Sequence, residues 1–232
     1  MSTRNGTPAP SAPPPNTPIR RSAIIVFILL SWIGAWAVSL PLWISGEGLA
    51  SPWAGLVLPL MMFTPTLATL FVVWVLRAPA QRRAEFLGCV PRRPWGRFWG
   101  MLVLALFGPI VVIALSIAAS AALGLVRLDL QDFGGFAEQI AAAVPGGNIG
   151  IPIGVLVLLQ VLALPLGAVI NSFLAVGEEL GWRGWLLPAL LPLGTWPALL
   201  ISGVVWGLWH TPVILLGYNF ARPDALGILV IV

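Results

Sequence analysis

Apolar residues in this chain come in long, nearly unbroken runs, without the alternation of a half-buried strand or the striped periodicity of a soluble helix. Five runs stand out, at 22–44, 53–76, 98–126, 151–176 and 196–217, each near or above the roughly 20 residues that a helix needs to cross a bilayer. Hydrocarbon offers no water to satisfy backbone N–H and C=O groups, so such runs are predicted to be helices. The expected fold class is therefore all-α, a multi-pass transmembrane helical bundle. Ala35-Trp36-Ala37 resembles a small-residue cleavage site, but its run is long enough to span and further spans follow, so it is read as the first span and not as a signal peptide. A last apolar run, 225–232, is eight residues long, short of a crossing, so a fragment or an incomplete final helix is expected there. No fixed-period repeat and no change of composition divides the apolar region.

Composition sharpens this picture. The chain is 59% hydrophobic and 9% charged, more apolar than a soluble domain of its length can hide. Residues 1–19 are rich in Pro, Ser, Thr and Ala, with Pro13, Pro14 and Pro15 in a row. A disordered tail is expected over 1–21, ahead of a transmembrane domain over 22–232. All 12 basic residues are arginine. Six lie in the loop 77–97 (Arg77, Arg82, Arg83, Arg92, Arg93, Arg97), whereas 127–150 has Arg127 against Asp129, Asp132 and Glu138. Excess arginine marks cytoplasmic loops, so the N-terminus and the 77–97 loop are expected in the cytoplasm of a multi-pass cell-membrane protein. The basic balance is a topology signal and implies no nucleic-acid partner; membrane lipid is the expected surrounding. The single cysteine, Cys89, excludes an intrachain disulfide, and the single histidine excludes an HExxH zinc signature.

Against this background a few polar residues are outliers. Gly177-Glu178-Glu179-Leu180-Gly181-Trp182-Arg183 sets two carboxylates and a guanidinium beside an apolar run, and His210 lies inside the next one. Ionisable groups at membrane depth are costly and mark functional sites by default. The segment 177–193 is too short to span alone; it either extends the fourth helix or dips back into the membrane. Threaded from a cytoplasmic N-terminus, the fourth span brings Glu178 and Glu179 to the cytoplasmic face. On a helix Glu179 and Arg183 share a face and pair. Glu178 is rotated about 100° away and is left to act as a general base on water, with its acidity weakened by partial burial. The alternative is that all three sit at headgroup level as an interfacial anchor.

His210 is placed one turn beyond Trp206 and two beyond Ser202 on a 196–217 helix. Gly177 with Gly181 and Gly203 with Gly207 are small-xxx-small pairs, a spacing that lets helices approach closely, so His210 is expected near Glu178. A packing role for the histidine is the alternative. Ser202 is two turns from His210 and no GxSxG turn occurs, which weighs against a serine mechanism. Trp182, Trp185, Trp206 and Trp209 flank the polar cluster as candidate pocket walls.

These residues resemble the CPBP membrane proteases, which include the type II prenyl-protein (CaaX) endopeptidases and the bacterial Abi or bacteriocin self-immunity proteins. The first motif of that family, Glu-Glu-x-x-x-Arg, is matched by Glu178, Glu179 and Arg183; the second, Phe-x-x-x-His, is matched by Trp206 and His210 with tryptophan for phenylalanine. The resemblance spans about 150–220, within a CPBP-like region of about 150–232. A third motif, His-x-x-x-Asn/Asp, is absent. The resemblance implies an intramembrane endopeptidase acting on a membrane-associated protein or peptide, prenylated or not. Glu178 is its general base, Glu179 and Arg183 are supports, and His210 is the second catalytic group. In the family's scheme the absent third-motif pair holds a metal or stabilises the oxyanion; apart from the resemblance, His210 and Glu178 are themselves read as part of a shell for a divalent metal such as zinc. The rival expectation is a non-catalytic membrane protein, a self-immunity or partner-binding scaffold, that uses the same cluster for packing or proton handling.

Overall fold

A computed structural model describes residues 19–91, 94–143, 150–219 and 222–232. The expected tail therefore lies outside the described residues up to position 18, as do Arg92 and Arg93 of the arginine loop. Every regular element among the described residues is helical, with no strand. Four helices are long and apolar enough to cross a membrane: Arg21–Ile44, Ala54–Trp74, Trp95–Ala122 and Ile153–Leu193. This is a multi-pass helical bundle; the first three predicted runs coincide with its spans to within about four residues, and the fourth matches at its start but continues to Leu193, well past 176. The fifth is cut short: helix Thr195–Trp209 stops one residue before the histidine. The chain divides into two compact units, one made of 1–87 and 179–232, the other of 88–178.

The first unit is built on α1 (Arg21–Ile44), whose buried residues Ala23, Phe27, Ser31, Ala35 and Ser39 recur every fourth position. Small side chains along one such row let a neighbour lie close. That neighbour is the span formed by α2 (Ala54–Met62) and α3 (Thr64–Trp74), whose buried face carries Thr64, Pro65, Ala68, Thr69, Val72 and Val73. At the closest point a Cβ on Gly34 would lie 3.0 Å from Thr64 Cβ. The span breaks at Phe63 because Pro65 has no N–H to give the carbonyl four residues back.

Aromatic rings fill the interior of this unit. Phe27 stacks on Trp185 at 4.8 Å between centroids and meets Trp182 edge-on at 5.5 Å; Trp182 meets Trp209 at 5.8 Å. Lipid is as apolar as this interior, so burial alone gives little. Ring contacts, worth about 0.5–1.5 kcal/mol each, and directed hydrogen bonds do the sorting. Indole N–H groups supply the latter: Trp32 to Val205 O (3.1 Å), Trp43 to Pro212 O (3.1 Å), Trp185 to Ala78 O (2.7 Å) and Trp209 to Thr64 Oγ1 (3.0 Å), with Thr64 Oγ1 donating to Ser31 O at 3.4 Å. After α3 the chain forms a four-residue helix, α4 (Arg83–Phe86).

The second unit holds α5 (Trp95–Ala122), α6 (Gly134–Ala143) and α7 (Ile153–Glu179) up to residue 178. The most apolar stretch of α5 has no buried residue, and Leu115 and Phe173 are 64% and 72% exposed. A surface of this kind suits hydrocarbon. The α6 helix lies inside what the sequence reads as a plain acidic loop. It is approached through Asp129, whose carboxylate accepts the N–H groups of Gln131 (3.2 Å), Asp132 (2.9 Å) and Gly134 (2.8 Å). These bonds, Gly134's first, hold the Asp129 carboxyl below the usual carboxylate range.

Candidate functional site

The acidic segment is where the fourth long helix changes its winding. It neither dips back nor stops: α7 continues into a π-helical stretch, Leu180–Leu186, then α8 (Leu187–Leu190) and a 3-10 turn, Leu191–Leu193. Single π turns inside α-helices are rare and concentrate at functional sites. Here the stretch sorts its side chains sharply. Gly181, Trp182, Gly184, Trp185 and Leu186 are buried, while Arg183 and Glu179 point outward, half exposed. Glycine permits the inward fit: a Cβ on Gly181 would collide with the ring of Pro65, and one on Gly184 would lie 3.2 Å from the carbonyl of Leu87.

The expected ion pair is present. Arg183 Nη1 lies 2.9 Å from Glu179 Oε1, with the side chains 47% and 50% exposed. A pair this open contributes about 0.3–0.5 kcal/mol in water, so its value is in orientation more than in stability. Glu178 is half-buried at the C-terminal end of α7.

His210 is not mid-helix. α9 (Thr195–Trp209) ends before it, and α10 (Thr211–Ile214) begins after it. The cause is Pro212, which has no N–H for the carbonyl of Leu208; that carbonyl accepts a backbone N–H at the helix end and the Thr211 hydroxyl, the latter at 2.6 Å. At this joint the His210 backbone N–H turns to Gly207 O (3.1 Å). The carbonyl of Trp206, which that N–H would have met in a continuing helix, bonds the imidazole Nδ1 at 3.0 Å. A carbonyl only accepts, so Nδ1 carries the proton and Nε2 is the lone-pair nitrogen of the neutral ring. The imidazole stands edge-on to Trp209 at 4.7 Å and to Trp206 at 5.4 Å.

Glu179, Arg183, Trp206, Trp209 and His210 thereby form one connected set within the first unit. The link the spacing did not reveal is a cation–π contact: the Arg183 guanidinium carbon lies 4.6 Å from the centroid of the Trp206 ring. Trp182 and Trp185, expected as pocket walls, are core residues instead. The glycine pairs also serve other neighbours. Gly181 abuts Pro65, Gly207 abuts residues 231 and 232, and Gly203 faces open space.

Beside the histidine runs an apolar groove of about 630 Å³, lined by Leu29, Trp32 and Trp36 of α1 together with Leu208, Trp209 and Thr211. Three of the polar groups on its walls, the Trp32 and Trp209 N–H and the Thr211 hydroxyl, bond within the protein.

Among the described residues no three His, Cys, Asp or Glu side chains gather as a metal set. The expected donors, His210 Nε2 and the Glu178 carboxylate, would supply two of the three or four protein ligands that a zinc site takes.

Residues 153–231, about a third of the chain, match the family described as Type II CAAX prenyl endopeptidase Rce1-like. The matched stretch contains Glu178, Glu179, Arg183, Trp206 and His210. No curated protein and no solved structure matches the chain.

Proposed function

We propose that this chain is an intramembrane endopeptidase that hydrolyses a peptide bond of a membrane-associated protein or peptide. The supporting observation is that the arginine of the first motif and the histidine of the second meet around one tryptophan ring, as two halves of a site should. In this reading a water gives one proton to the Glu178 carboxylate, and His210, with its Nε2 lone pair, is the second catalytic group. The water oxygen attacks the scissile carbonyl. Glu178 then returns the proton to the amide nitrogen as the C–N bond breaks, leaving a carboxylic acid and an amine. Glu179 and Arg183 hold the local geometry and field. The apolar groove takes a hydrocarbon portion of the substrate, a prenyl group among the candidates, because its walls are almost wholly apolar.

Proteolysis by the reconstituted chain, measured on matched prenylated and unmodified peptides in liposomes, tests this. Glu178→Gln is expected to lower the rate by about 10²–10⁴-fold, the range for losing a general base. Glu179→Gln should cost less. Equal rates for Glu178→Gln and the parent would overturn the assignment of the base. A second reading, a non-catalytic scaffold that binds a partner through the same cluster, is favoured by the half-exposed Glu179–Arg183 pair. It is the conclusion if neither peptide is cut.

A further inference from the structure

We propose that Trp206 is a positioning residue that couples the two motifs, its indole ring seating Arg183 while that same ring and its backbone carbonyl fix the imidazole of His210. Three contacts carry this. The ring receives the Arg183 guanidinium at 4.6 Å. Its edge-to-face contact at 5.4 Å, with that of Trp209 at 4.7 Å, walls the imidazole on two sides. The carbonyl accepts Nδ1–H at 3.0 Å. The carbonyl is available because Pro212 ends α9 and sends the His210 backbone N–H to Gly207 instead.

A histidine whose one N–H is held by a backbone carbonyl presents its other nitrogen in a fixed direction as a base or ligand. An indole has the most electron-rich face of the aromatic side chains, so tryptophan here holds a guanidinium more firmly than phenylalanine would. Glu179 restrains the same guanidinium through Nη1, at 2.9 Å. The result is a chain of contacts, Glu179 to Arg183 to Trp206 to His210, in which a shift at the arginine is felt at the imidazole. The purpose of this device rests on the hydrolase reading; its geometry does not.

The test needs no substrate. His210 is the only histidine, so the full chain labelled with ¹⁵N-histidine and placed in lipid nanodiscs gives one pair of ring-nitrogen signals that report the tautomer of the neutral ring. The parent should favour Nδ1–H by roughly tenfold or more, the ratio that one hydrogen bond of about 1.4 kcal/mol sustains. Trp206→Phe should keep most of that preference, and Trp206→Leu should bring it near parity. Should Trp206→Leu fail to fold, Arg183→Lys, at an exposed position, keeps the charge but loses the flat stacked guanidinium and should lower the ratio about threefold. A parent dominated by Nε2–H, or ratios unchanged in both Trp206→Leu and Arg183→Lys, overturns the proposal. A parent with the expected tautomer that cuts no peptide would instead remove the hydrolase reading alone.

Discussion

Thr211 adds a hydroxyl bond where the helix ends. Pro212 cannot give the carbonyl of Leu208 its helical N–H; a backbone N–H at the helix end and Thr211 Oγ1 both donate to that carbonyl. Thr211→Val keeps the shape and removes the second donor. It should destabilise the chain by about 0.5–1 kcal/mol, with Thr211→Ser close to the parent, as read from thermal unfolding in one detergent. An unchanged midpoint in Thr211→Val would show that the hydroxyl bond adds nothing to the backbone one. At this scale the sequence was informative wherever partners lie four residues apart. Glu179 with Arg183, and Trp206 with His210, follow from helical spacing alone. Arg183 over Trp206 does not, because it joins segments more than twenty residues apart whose relative placement is set by packing. The end of α9 at Trp209 was concealed for a different reason: 196–217 is apolar throughout, and hydrophobic length says nothing about where a proline stops the backbone ladder.

At the level of elements, the π-helical stretch depends on glycine at the point where it meets α3. Gly181→Ala would drive a methyl into Pro65 and should cost roughly 1–3 kcal/mol, the range for overpacking. Gly203→Ala meets nothing within 4 Å and should stabilise α9 by roughly 0.5–1 kcal/mol, because alanine gives up less backbone freedom. Parallel unfolding curves check both, and equal effects would refute the packing argument. These two glycines look alike in the sequence, each half of a small-xxx-small pair, and only the contact partner separates them.

The short helix α11 (Ala225–Ile231) has its own control. Asp224 Oδ1 accepts the Gly227 N–H at 2.9 Å, and Arg222 lies against Oδ2 at 3.3 Å. The Gly227 bond first, then the Arg222 charge, hold this carboxyl below its ordinary range. A depressed value in the folded state means the cap contributes fully above the unfolded carboxylate's titration, near pH 3.9, and is lost as pH falls through the lower folded value. The Gly227 amide resonance should therefore stay fixed down to about pH 4 and move only below it. Movement beginning well above that pH would contradict the assignment.

For the whole molecule, orientation in the membrane follows from arginine placement, and the single cysteine offers a direct check. Cys89 is exposed, in the arginine-rich 77–97 loop. If that loop faces the cytoplasm, an impermeant maleimide should label Cys89 in inside-out vesicles and spare it in right-side-out ones; the reverse pattern would invert the topology. The four long spans were legible, three of them nearly to their ends, because bilayer thickness imposes a minimum length on any sequence; the fourth runs on to Leu193, and the fifth apolar run is not a long span. The division into two units was not, since it depends on which apolar faces meet one another and which meet lipid, and the side chains at both kinds of face are the same. Thus α1 and α5 read alike as apolar runs, yet α1 packs on α3 while the most apolar part of α5 has no buried residue.

The indole bonds of α1 reach far along the chain: Trp32 pairs 173 residues ahead and Trp43 169. During synthesis the first helix is therefore delivered to the bilayer long before its acceptors at Val205 and Pro212 exist. Final seating of α1 must wait until those acceptors are translated, so assembly of this unit is gated by helices made after it and not by the order of insertion.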